Sequence, residues 1–385
     1  MNTNEQLHHK LITVPAGKLA SNPVAERHDI VLLFDCAKSN PNGDPDTGNM
    51  PRVQPDSLKG LVTDVCLKRK VRNFFTLYNP NNASPGLWTN SEDRNGYNIF
   101  IRENAVFQEL MEAEDIAADA EKMFNTYPEP NKGKWKRPAK GKSADNEFIS
   151  RAFRDALCSR YLDLRAFGGV ISTEGPLKGS FYGQVRGPLQ ITFAESLDKV
   201  LPLDATITRC AVASVKEQQQ AASSEEEATN RTMGRKHGID YGLYRCHIHF
   251  SPAFAAKTGF SYFDLDNFLF ALQHMFDDDH AAGRHLRLVG LVDFQHASSL
   301  GNAPAHKLFD LVKVDGVTTD KDGKKVFASS DSEFPRSLAD YSGAAPDGDL
   351  HVKDGKVLSG KNGEGVAVVQ ARRLVWEIPS GKTGT

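Results

Sequence analysis

The chain has 385 residues, which is enough for one large domain or two ordinary ones. Hydrophobic residues make up 39% and charged residues 25%, and no apolar run reaches the roughly 20 residues of a membrane helix. With a net charge of −2, the chain is not basic overall. Any nucleic-acid contact must therefore come from local basic clusters.

The cysteines favour reduced thiols. Their number is odd, their positions are scattered and no CxxC pair occurs, which counts against a zinc ribbon or a disulfide framework. They are Cys36, Cys66, Cys158, Cys210 and Cys246. The N-terminus also lacks the basic-then-apolar pattern of a signal peptide, so we expect a cytoplasmic protein. As a separate expectation, the protein uses no cofactor.

The first predicted elements are an extension, a strand, a loop and a helix. Residues 1–28 are polar and aperiodic, and residues 29–36 (DIVLLFDC) are typical of a strand buried on both faces. The turn-rich NPNGDPDTGN follows between residues 37 and 56. Residues 58–78 predict a helix, with one apolar face formed by Leu58, Leu61, Val62 and Val65.

The middle of the chain predicts an insertion and several strands. Residues 79–147 combine an acidic helical piece with the basic NKGKWKRPAKGK at 131–142, and a helix resumes over 148–164. Residues 185–193 and 205–213 predict strands. Residues 214–242 lose all periodicity and predict a long excursion, because residues 243–250 alternate again.

The last third predicts a helix, a strand and a tail. Ser261 and Asp264 predict a capping box at the start of an amphipathic helix, and residues 287–296 predict a strand. Beyond residue 314 we expect a loop-dominated tail, tied down by a strand at 374–378. Without its excursions, the order matches a βαββαβ ferredoxin-like unit, which RNA-recognition motifs also use.

Two basic motifs are candidates for phosphate contacts. KRKVR at 68–72 places four positive charges in five residues, as phosphate binding requires, although a solvated helix end would have the same pattern. NRTMGRKH at 230–237 combines cations with Gly234 and with Met233, which could wedge between bases. The alternative for this motif is a disordered polar loop.

Arg245, His247 and His249 alternate along one strand and therefore share a face. They could contact RNA, ligate a metal or be neutral, hydrogen-bonded structural histidines. The run from Asp277 to His280 resembles a metal cluster, but successive residues at a helix end point in different directions. We expect a solvated turn there.

Carboxylates flank the first loop at Asp35, Asp44 and Asp46. A nuclease could use such groups with Mg²⁺, but the same residues also suit plain turn chemistry. GxGxxG, GxxxxGK[ST] and GxSxG motifs are absent from the sequence.

Five segments occur in one order: LFDCAKSNPNGDPDTGNMPRV, GLVTDVCLKRKVRNF, GQVRGPLQITFAESLD, NRTMGRKHGIDYGLYR and LGNAPAHKLFDLVKV. Together they resemble the backbone subunit of the type I-C CRISPR Cascade complex, in the Cas7 superfamily. The resemblance extends from about Arg27 to Val314.

The resemblance implies an α+β fold with a modified RNA-recognition-motif palm over residues 29–314. Residues 79–147 would be finger insertions and residues 214–242 a thumb hairpin. Residues 315–385 would be a loop-rich segment packed on the palm.

The resemblance also implies a function. Several copies would stack head to tail along one CRISPR RNA, kink it with their thumbs and leave bases free to pair with target DNA. Other Cascade subunits (the guide-end-processing, large and small subunits) would be partners, and a recruited helicase-nuclease would act on the complex. The subunit itself would be non-catalytic and would not contact membranes. The alternative is a metal-dependent RNase that uses Asp35 or Asp44.

Individual residues follow from the matched segments. The predicted guide contacts are Asn40, Asn42 and Arg52 in the first loop; Lys68, Arg69, Lys70 and Arg72 on the helix; Gln184 and Arg186 on a strand; and Arg231, Met233, Arg235, Lys236 and His237 in the thumb. Arg245 completes the set, because its strand face could contact phosphates.

Overall fold

A computed structural model describes residues 22–78, 96–208, 214–215, 233–316, 318–319, 321–327, 332–353, 356–359 and 367–380. The strands of the N-terminal half are β1 (His28–Ser39), β2 (Gly43–Asp44), β3 (Met50–Pro51), β4 (Lys59–Val62), β5 (Gly168–Val170), β6 (Gln184–Arg186), β7 (Leu189–Ile191), β8 (Ala194–Lys199) and β9 (Pro202–Thr208). Those of the C-terminal half are β10 (Met233–Phe250), β11 (Leu286–His296), β12 (Lys313–Asp315), β13 (Thr318–Thr319), β14 (Lys325–Val326), β15 (Ser342–Ala344), β16 (Gly348–Lys353), β17 (Lys356–Ser359) and β18 (Ala367–Trp376).

The described residues contain eight α-helices. They are α1 (Asp64–Leu77), α2 (Phe107–Glu112), α3 (Glu114–Thr126), α4 (Glu147–Arg160), α5 (Leu162–Phe167), α6 (Pro252–Thr258), α7 (Tyr262–His274) and α8 (Ala305–Phe309). Short 3-10 turns cover Pro45–Thr47, Gly175–Leu177, Phe181–Gly183 and Leu338–Asp340. In the described parts of the chain, no helix combines the length and apolar character needed to cross a bilayer.

One large sheet organises the fold, in the order β17-β16-β18-β11-β1-β10-β8-β4, with β7 and β9 also paired to β10. Strand β1 lies between β10 and β11 and is antiparallel to both. It is buried on both faces, as its apolar run predicts. Ile30, Leu32 and Phe34 join the core beneath α1 and α7, while Val31 and Leu33 join a second core on the other face.

The C-terminal segment closes that second face. Phe309, Phe327, Tyr341 and Ile378 pack there against the sheet. Strands β16, β17 and β18 extend the same sheet. The expectation of a loop-dominated tail is therefore wrong for these strands, because Gly, Asp and Lys in the turns dilute their apolar pattern.

Helix α1 begins later than predicted. Residues 59–62 form β4, which pairs with β8, and Thr63 caps the helix by accepting a hydrogen bond from the Cys66 amide at 3.3 Å. The predicted apolar face is wrong, because Leu58 has a φ of +57° and Val65 is 65% exposed. The buried face is instead formed by Leu67, Val71, Phe74 and Phe75.

Residues 100–185 form a helical lobe with a core of its own. Phe100, Phe124, Phe153 and Leu157 are buried in it. The predicted helix over 148–164 is confirmed as α4 followed by α5. Two buried ion pairs tie the lobe to the rest of the fold: Arg72 contacts Asp163, and Arg165 contacts Asp264.

Strand β10 is much longer than residues 243–250. It starts at Met233, so the last part of the predicted 214–242 excursion is strand. Residues 239–241 lack alternation because they are buried between β1 and the C-terminal segment. Residues 209–213 and 216–232 lie outside the described residues.

The remaining predicted elements are α7, β11, the strand over 185–193 and the last strand. The capping box of Ser261 and Asp264 opens α7, and residues 287–296 lie within β11. The strand predicted over 185–193 is broken between β6 and β7, where Gly187 and Pro188 intervene, and Phe193 is 57% exposed. The last predicted strand is β18, which ends at Trp376.

Candidate nucleic-acid interface

Each of the four cations of KRKVR contacts a carboxylate. Lys68 lies 2.8 Å from Asp64 and Arg72 lies 2.8 Å from Asp163, while Arg69 pairs with Glu103 and Lys70 pairs with Asp279. The positive charge of α1 is thus balanced locally, which the charge density of the sequence does not indicate.

Arg72, which is predicted to contact phosphates, is buried in an ion pair with Asp163. It is 8% exposed, and its partner Asp163 also accepts hydrogen bonds from the amides of Phe100 and Ile101 at 2.7 and 3.0 Å. The pair therefore links α1 to the helical lobe. Lys70 is nearly as enclosed, and burial lowers the pKa of its ammonium. Of the four cations, Arg69 reaches solvent best, with 64% of its side chain exposed.

A cleft of about 730 Å³ lies beside Arg69, between the outer side of α1, residues 98–103 and the end of α7. Arg102 also lines it, and Arg102 Nε is buried without a hydrogen-bond partner among the described residues. Val65 and Ile101 expose apolar surface into the same cleft. Cations beside apolar surface suit phosphates and unstacked bases. Sequence reasoning missed Arg102 because it is an isolated cation.

The three predicted contact residues of the first loop differ in whether their polar atoms already have partners. Asn42 Oδ1 accepts hydrogen bonds from the amide and the hydroxyl of Thr63 at 2.9 and 3.0 Å, so this side chain positions the start of α1. Arg52 lies 3.3 Å from Asp44, and Asn40 Nδ2 donates to the carbonyl of Asn49. Arg52 Nε and Asn40 Oδ1 are buried and lack partners among the described residues. These two atoms retain hydrogen-bonding capacity.

Strand β9 and the first half of β10 form a two-stranded ribbon, paired from Pro202↔Ile239 to Thr208↔Met233. Residues 204–208 are exposed, and so are Arg235 and Lys236. Arg235 makes no ion pair with any described residue, whereas His237 Nδ1 lies 2.5 Å from Asp204. Arg231 and the side chain of Met233 lie outside the described residues. An exposed ribbon of this kind is marginally stable by itself, which favours a bound partner.

The first loop, α1 and the ribbon meet at the turn formed by residues 279–284. The Asn40 amide donates to the Gly283 carbonyl at 3.0 Å, and Lys236 Nζ donates to the Ala282 carbonyl at 2.8 Å. Asp279 contacts both Lys70 and Arg284, and Arg284 is 60% exposed. This turn therefore gathers residues that are far apart in sequence. Arg284 was missed because the neighbouring acidic run dominates the local pattern.

Gln184 and Arg186 lie elsewhere. Both are exposed on β6, which pairs with β5 in a small sheet of its own, with Gly168 opposite Arg186. Arg186 has no ion-pair partner in the described ranges. The two side chains share one face of β6, but they do not belong to the cluster around the 279–284 turn.

Arg245, which is predicted to contact phosphates, makes its hydrogen bonds inside the fold. It lies opposite Leu33, on the face of the sheet away from α1, and it donates to the carbonyls of Val312 and Phe309. His247 stacks on Phe309 with ring centroids 4.1 Å apart, and burial lowers the pKa of His247 to about 4. Of the three alternatives for this strand face, residues with a structural, hydrogen-bonded role describe it best. Within the described ranges, no group of three or more His, Cys, Asp or Glu side chains could hold a metal.

The carboxylates that were candidates for catalysis or metal binding contact other side chains of this chain. Asp35 is 5% exposed, lies 2.7 Å from Arg287 and accepts a hydrogen bond from the Tyr241 hydroxyl at 3.1 Å. Asp44 caps a 3-10 turn and contacts Arg52. The acidic run after α7 diverges as predicted, because Asp277, Asp278 and Asp279 contact His274, Tyr78 and Lys70 respectively.

Comparison with known proteins identifies the class. A family model for CRISPR-associated protein Cas7 matches residues 26–343. The chain therefore belongs to the Cas7 family.

One curated relative is the CRISPR-associated protein Cas7 of Haloferax volcanii, which is 23% identical over 193 residues. That match covers 45% of this chain and 44% of the relative, so the chain spans less than half the length of the relative that it matches. A solved structure titled "CRISPR RNA-guided surveillance complex, pre-nicking" contains a chain that is 14% identical, with a TM-score of 0.39. The alignment covers 70% of this chain and 78% of that one.

Proposed function

We propose that this Cas7 protein is a backbone subunit that binds CRISPR RNA along the first loop, the outer side of α1 and the β9–β10 ribbon. The observation that carries the proposal is the meeting of these three elements at the 279–284 turn. Guide binding would then use Arg69, Arg102, Arg235, Lys236 and Arg284. The protein would hold the RNA backbone irrespective of sequence, while base pairing reads the target.

The strand order β11-β1-β10-β8, with α1 and α7 on one face, supports an RNA-recognition-motif-like palm. Such motifs usually bind RNA on their open sheet face. Here the C-terminal segment covers that face. We therefore infer that the guide follows the side of α1 and the ribbon instead of crossing the sheet.

The finer assignments extend this proposal. Copies of the chain would stack head to tail on the guide as in type I-C Cascade, with the ribbon as the base of the thumb and the helical lobe as the fingers. A heterologous interface of this kind stays open and gives a filament. Pairing with target DNA, contacts with other Cascade subunits and later action of a helicase-nuclease belong to the same proposal, as does a cytoplasmic location.

Guide binding can be tested with R235A/K236A/R284A, which removes three exposed cations around the turn. We expect weaker binding of a CRISPR RNA and a flatter salt dependence, because each phosphate that the protein no longer neutralises lowers the slope by about 0.7 for single strands. Filter binding across a salt series measures both. The matched control is K257A/K313A/K356A, which removes the same charge from other exposed positions. Equal behaviour of the two variants would contradict the proposed interface.

The proposed function is also non-catalytic. Incubation of guide-loaded protein with complementary RNA and Mg²⁺ should leave that RNA intact. Cleavage by the wild type that disappears in Asp35→Ala or Asp44→Ala would instead establish a nuclease.

A further inference from the structure

The cleft beside α1 has the size of a small-molecule site. Its volume is about 730 Å³, within the range of roughly 300–1,000 Å³ in which ligand pockets fall. The proposed guide interface uses Arg69 and Arg102 from this cleft but gives the rest of its lining no role. That lining combines apolar side chains, cations and exposed carboxylates.

The wall formed by residues 98–103 is fixed to the helical lobe by backbone hydrogen bonds. The Leu162 amide donates to the Asn98 carbonyl at 2.9 Å, and the Ile101 amide donates to the Asp163 carboxylate at 3.0 Å. The facing walls are α1 and the end of α7, which are regular helices. A cleft with fixed walls loses little further entropy when a ligand enters.

The cations of the cleft leave room for a single phosphate group. Lys70 and Arg72 also line it, but both are held in enclosed ion pairs. Arg69 pairs with Glu103, which is itself 81% exposed. Arg102 makes no ion pair with any described residue, and its Nε is buried without a hydrogen-bond partner there. Two accessible guanidinium groups, one of them unpaired, suit one phosphate, which arginine can bind through two parallel hydrogen bonds.

The apolar lining suits a flat ring. Val65 is 65% exposed and Ile101 is 39% exposed, although both side chains are aliphatic. Leu77 and Met275 line the same cleft, and a methionine sulfur makes favourable contacts with aromatic rings. A ligand with an aromatic part beside its anionic group would therefore cover surface that is now exposed.

Two exposed carboxylates in the lining supply hydrogen-bond acceptors. Asp278 accepts a hydrogen bond from the Tyr78 hydroxyl at 2.7 Å, and the Glu103 side chain reaches solvent beside Arg69. A carboxylate with one such bond retains acceptor capacity. In nucleotide sites, an acidic side chain accepts hydrogen bonds from ribose hydroxyls. An acidic peptide or a polyphosphate would instead be repelled by these groups.

Phosphate, flat ring and hydroxyl-bearing sugar together define a nucleotide. We propose that the cleft binds one free nucleoside 5′-monophosphate, with its phosphate on Arg102 and Arg69, its base on the apolar lining and its ribose hydroxyls on Asp278 or Glu103. Bound nucleotide and guide RNA then compete for the cleft. This competition rests on the proposed function, whereas nucleotide binding itself requires no guide.

The test measures binding of adenosine 5′-monophosphate (AMP) to the guide-free chain by isothermal titration calorimetry. We expect one AMP per chain, and about tenfold weaker binding or less in Arg102→Ala, because hydrogen bonds to a charged group are lost. Arg102→Lys keeps the charge without the planar fork and should bind with intermediate affinity, which guards against a folding defect of the alanine variant. The matched control Lys257→Ala removes an exposed cation from α6 and should bind AMP like the wild type.

Two fragments of the ligand test its class. Adenosine and ribose 5-phosphate each lack one part that the cleft contacts, so each should bind at least about tenfold more weakly than AMP. Equal affinity for AMP and for either fragment would overturn the nucleotide site. Absence of AMP binding, or equal AMP affinity in Arg102→Ala and the wild type, would overturn it as well.

Competition is measured by filter binding of guide RNA in the presence of AMP. Saturating AMP should weaken guide binding by the wild type and should not change guide binding by R69A/R102A. AMP that binds without weakening guide binding would overturn the shared use of the cleft. If the wild type fails to bind guide but binds AMP through Arg102, the proposed function falls and the nucleotide site stands.

Discussion

Helix α1 and the β9–β10 ribbon each carry a run of cations, but their surroundings differ. On α1 every cation of KRKVR contacts a carboxylate, and Arg72 does so in the protein interior. On the ribbon, Lys236 donates to a backbone carbonyl, and Arg235 makes no ion pair with any described residue. Charge density in a sequence therefore does not measure the charge available to a ligand.

The difference follows from position. Helix α1 packs between the sheet and the helical lobe, so the cations on its enclosed side, such as Lys70 and Arg72, must find partners or remain buried without compensation. The ribbon extends past the sheet into solvent, where an unpaired cation costs little. The same residue types thus stabilise the fold in one region and are available for binding in the other.

The sharpest test of this contrast is Arg72→Ala. It leaves the Asp163 carboxylate buried without its ion-pair partner, and we expect a loss of about 3–5 kcal/mol in the free energy of unfolding. Urea denaturation measures it. Arg69→Ala, one turn earlier on the same helix, is the control and should cost no more than about 1 kcal/mol, because its ion pair is exposed. Similar stability of the two variants would refute the structural role of Arg72.

For the cleft beside α1 we expect the opposite of the Arg72 result: weaker guide binding with unchanged stability. R69A/R102A should leave the unfolding midpoint close to that of the wild type but lower the salt slope of guide binding by about 1.4, if each arginine holds one phosphate at about 0.7 per contact. Filter binding provides the slope. K122A/K257A, which removes two exposed lysines elsewhere, should keep it. A normal slope in R69A/R102A would exclude the cleft from the interface.

Substitutions of two asparagines in the first loop should have intermediate effects on stability. Asn42→Ala removes the acceptor for both the amide and the hydroxyl of Thr63, so we expect a loss of about 1 kcal/mol in unfolding free energy. Asn40→Ala should cost less stability, because it removes one hydrogen bond, from Asn40 Nδ2 to the Asn49 carbonyl, while the buried Asn40 Oδ1 has no partner among the described residues. Thermal melts compare the two variants. A larger loss in Asn40→Ala would reverse these assignments.

The smallest expected effect concerns acid stability. Burial lowers the pKa of His247 from 6.5 to about 4, so between these values the unfolded chain binds a proton that the folded protein does not. Stability should therefore be lost as pH falls from 6.5 towards 4. His247→Gln removes this contribution and should show a shallower loss over that range in urea titrations. His274→Gln, at a more exposed position, should follow the wild type.

Much of the fold could be predicted from sequence where one apolar pattern dominates. The DIVLLFDC strand, the Ser261 capping box and β11 were correctly placed for this reason. The start of α1 was not, because Leu58, Leu61, Val62 and Val65 match helical spacing by coincidence. Residues 239–241 were missed because burial on both faces removes the alternation that indicates a strand.

The candidate site was less predictable. Charge density singled out Arg72, and strand alternation singled out Arg245. Neither property reveals a partner contributed by a distant element, such as Asp163 or the carbonyl of Phe309. Arg102 and Arg284 carry no local signal at all. Their relevance depends on the cleft and on the 279–284 turn, which exist only after long-range packing.

The central position of β1 has a consequence for how the protein is made. Both of its neighbours in the sheet, β10 and β11, come from the second half of the described chain. During synthesis this apolar strand emerges early and must wait, unpaired, until most of the polypeptide has left the ribosome. Contacts of such large sequence separation also slow folding. Nascent chains should therefore depend on chaperones for most of their translation, with the helical lobe, whose contacts are more local, able to fold first.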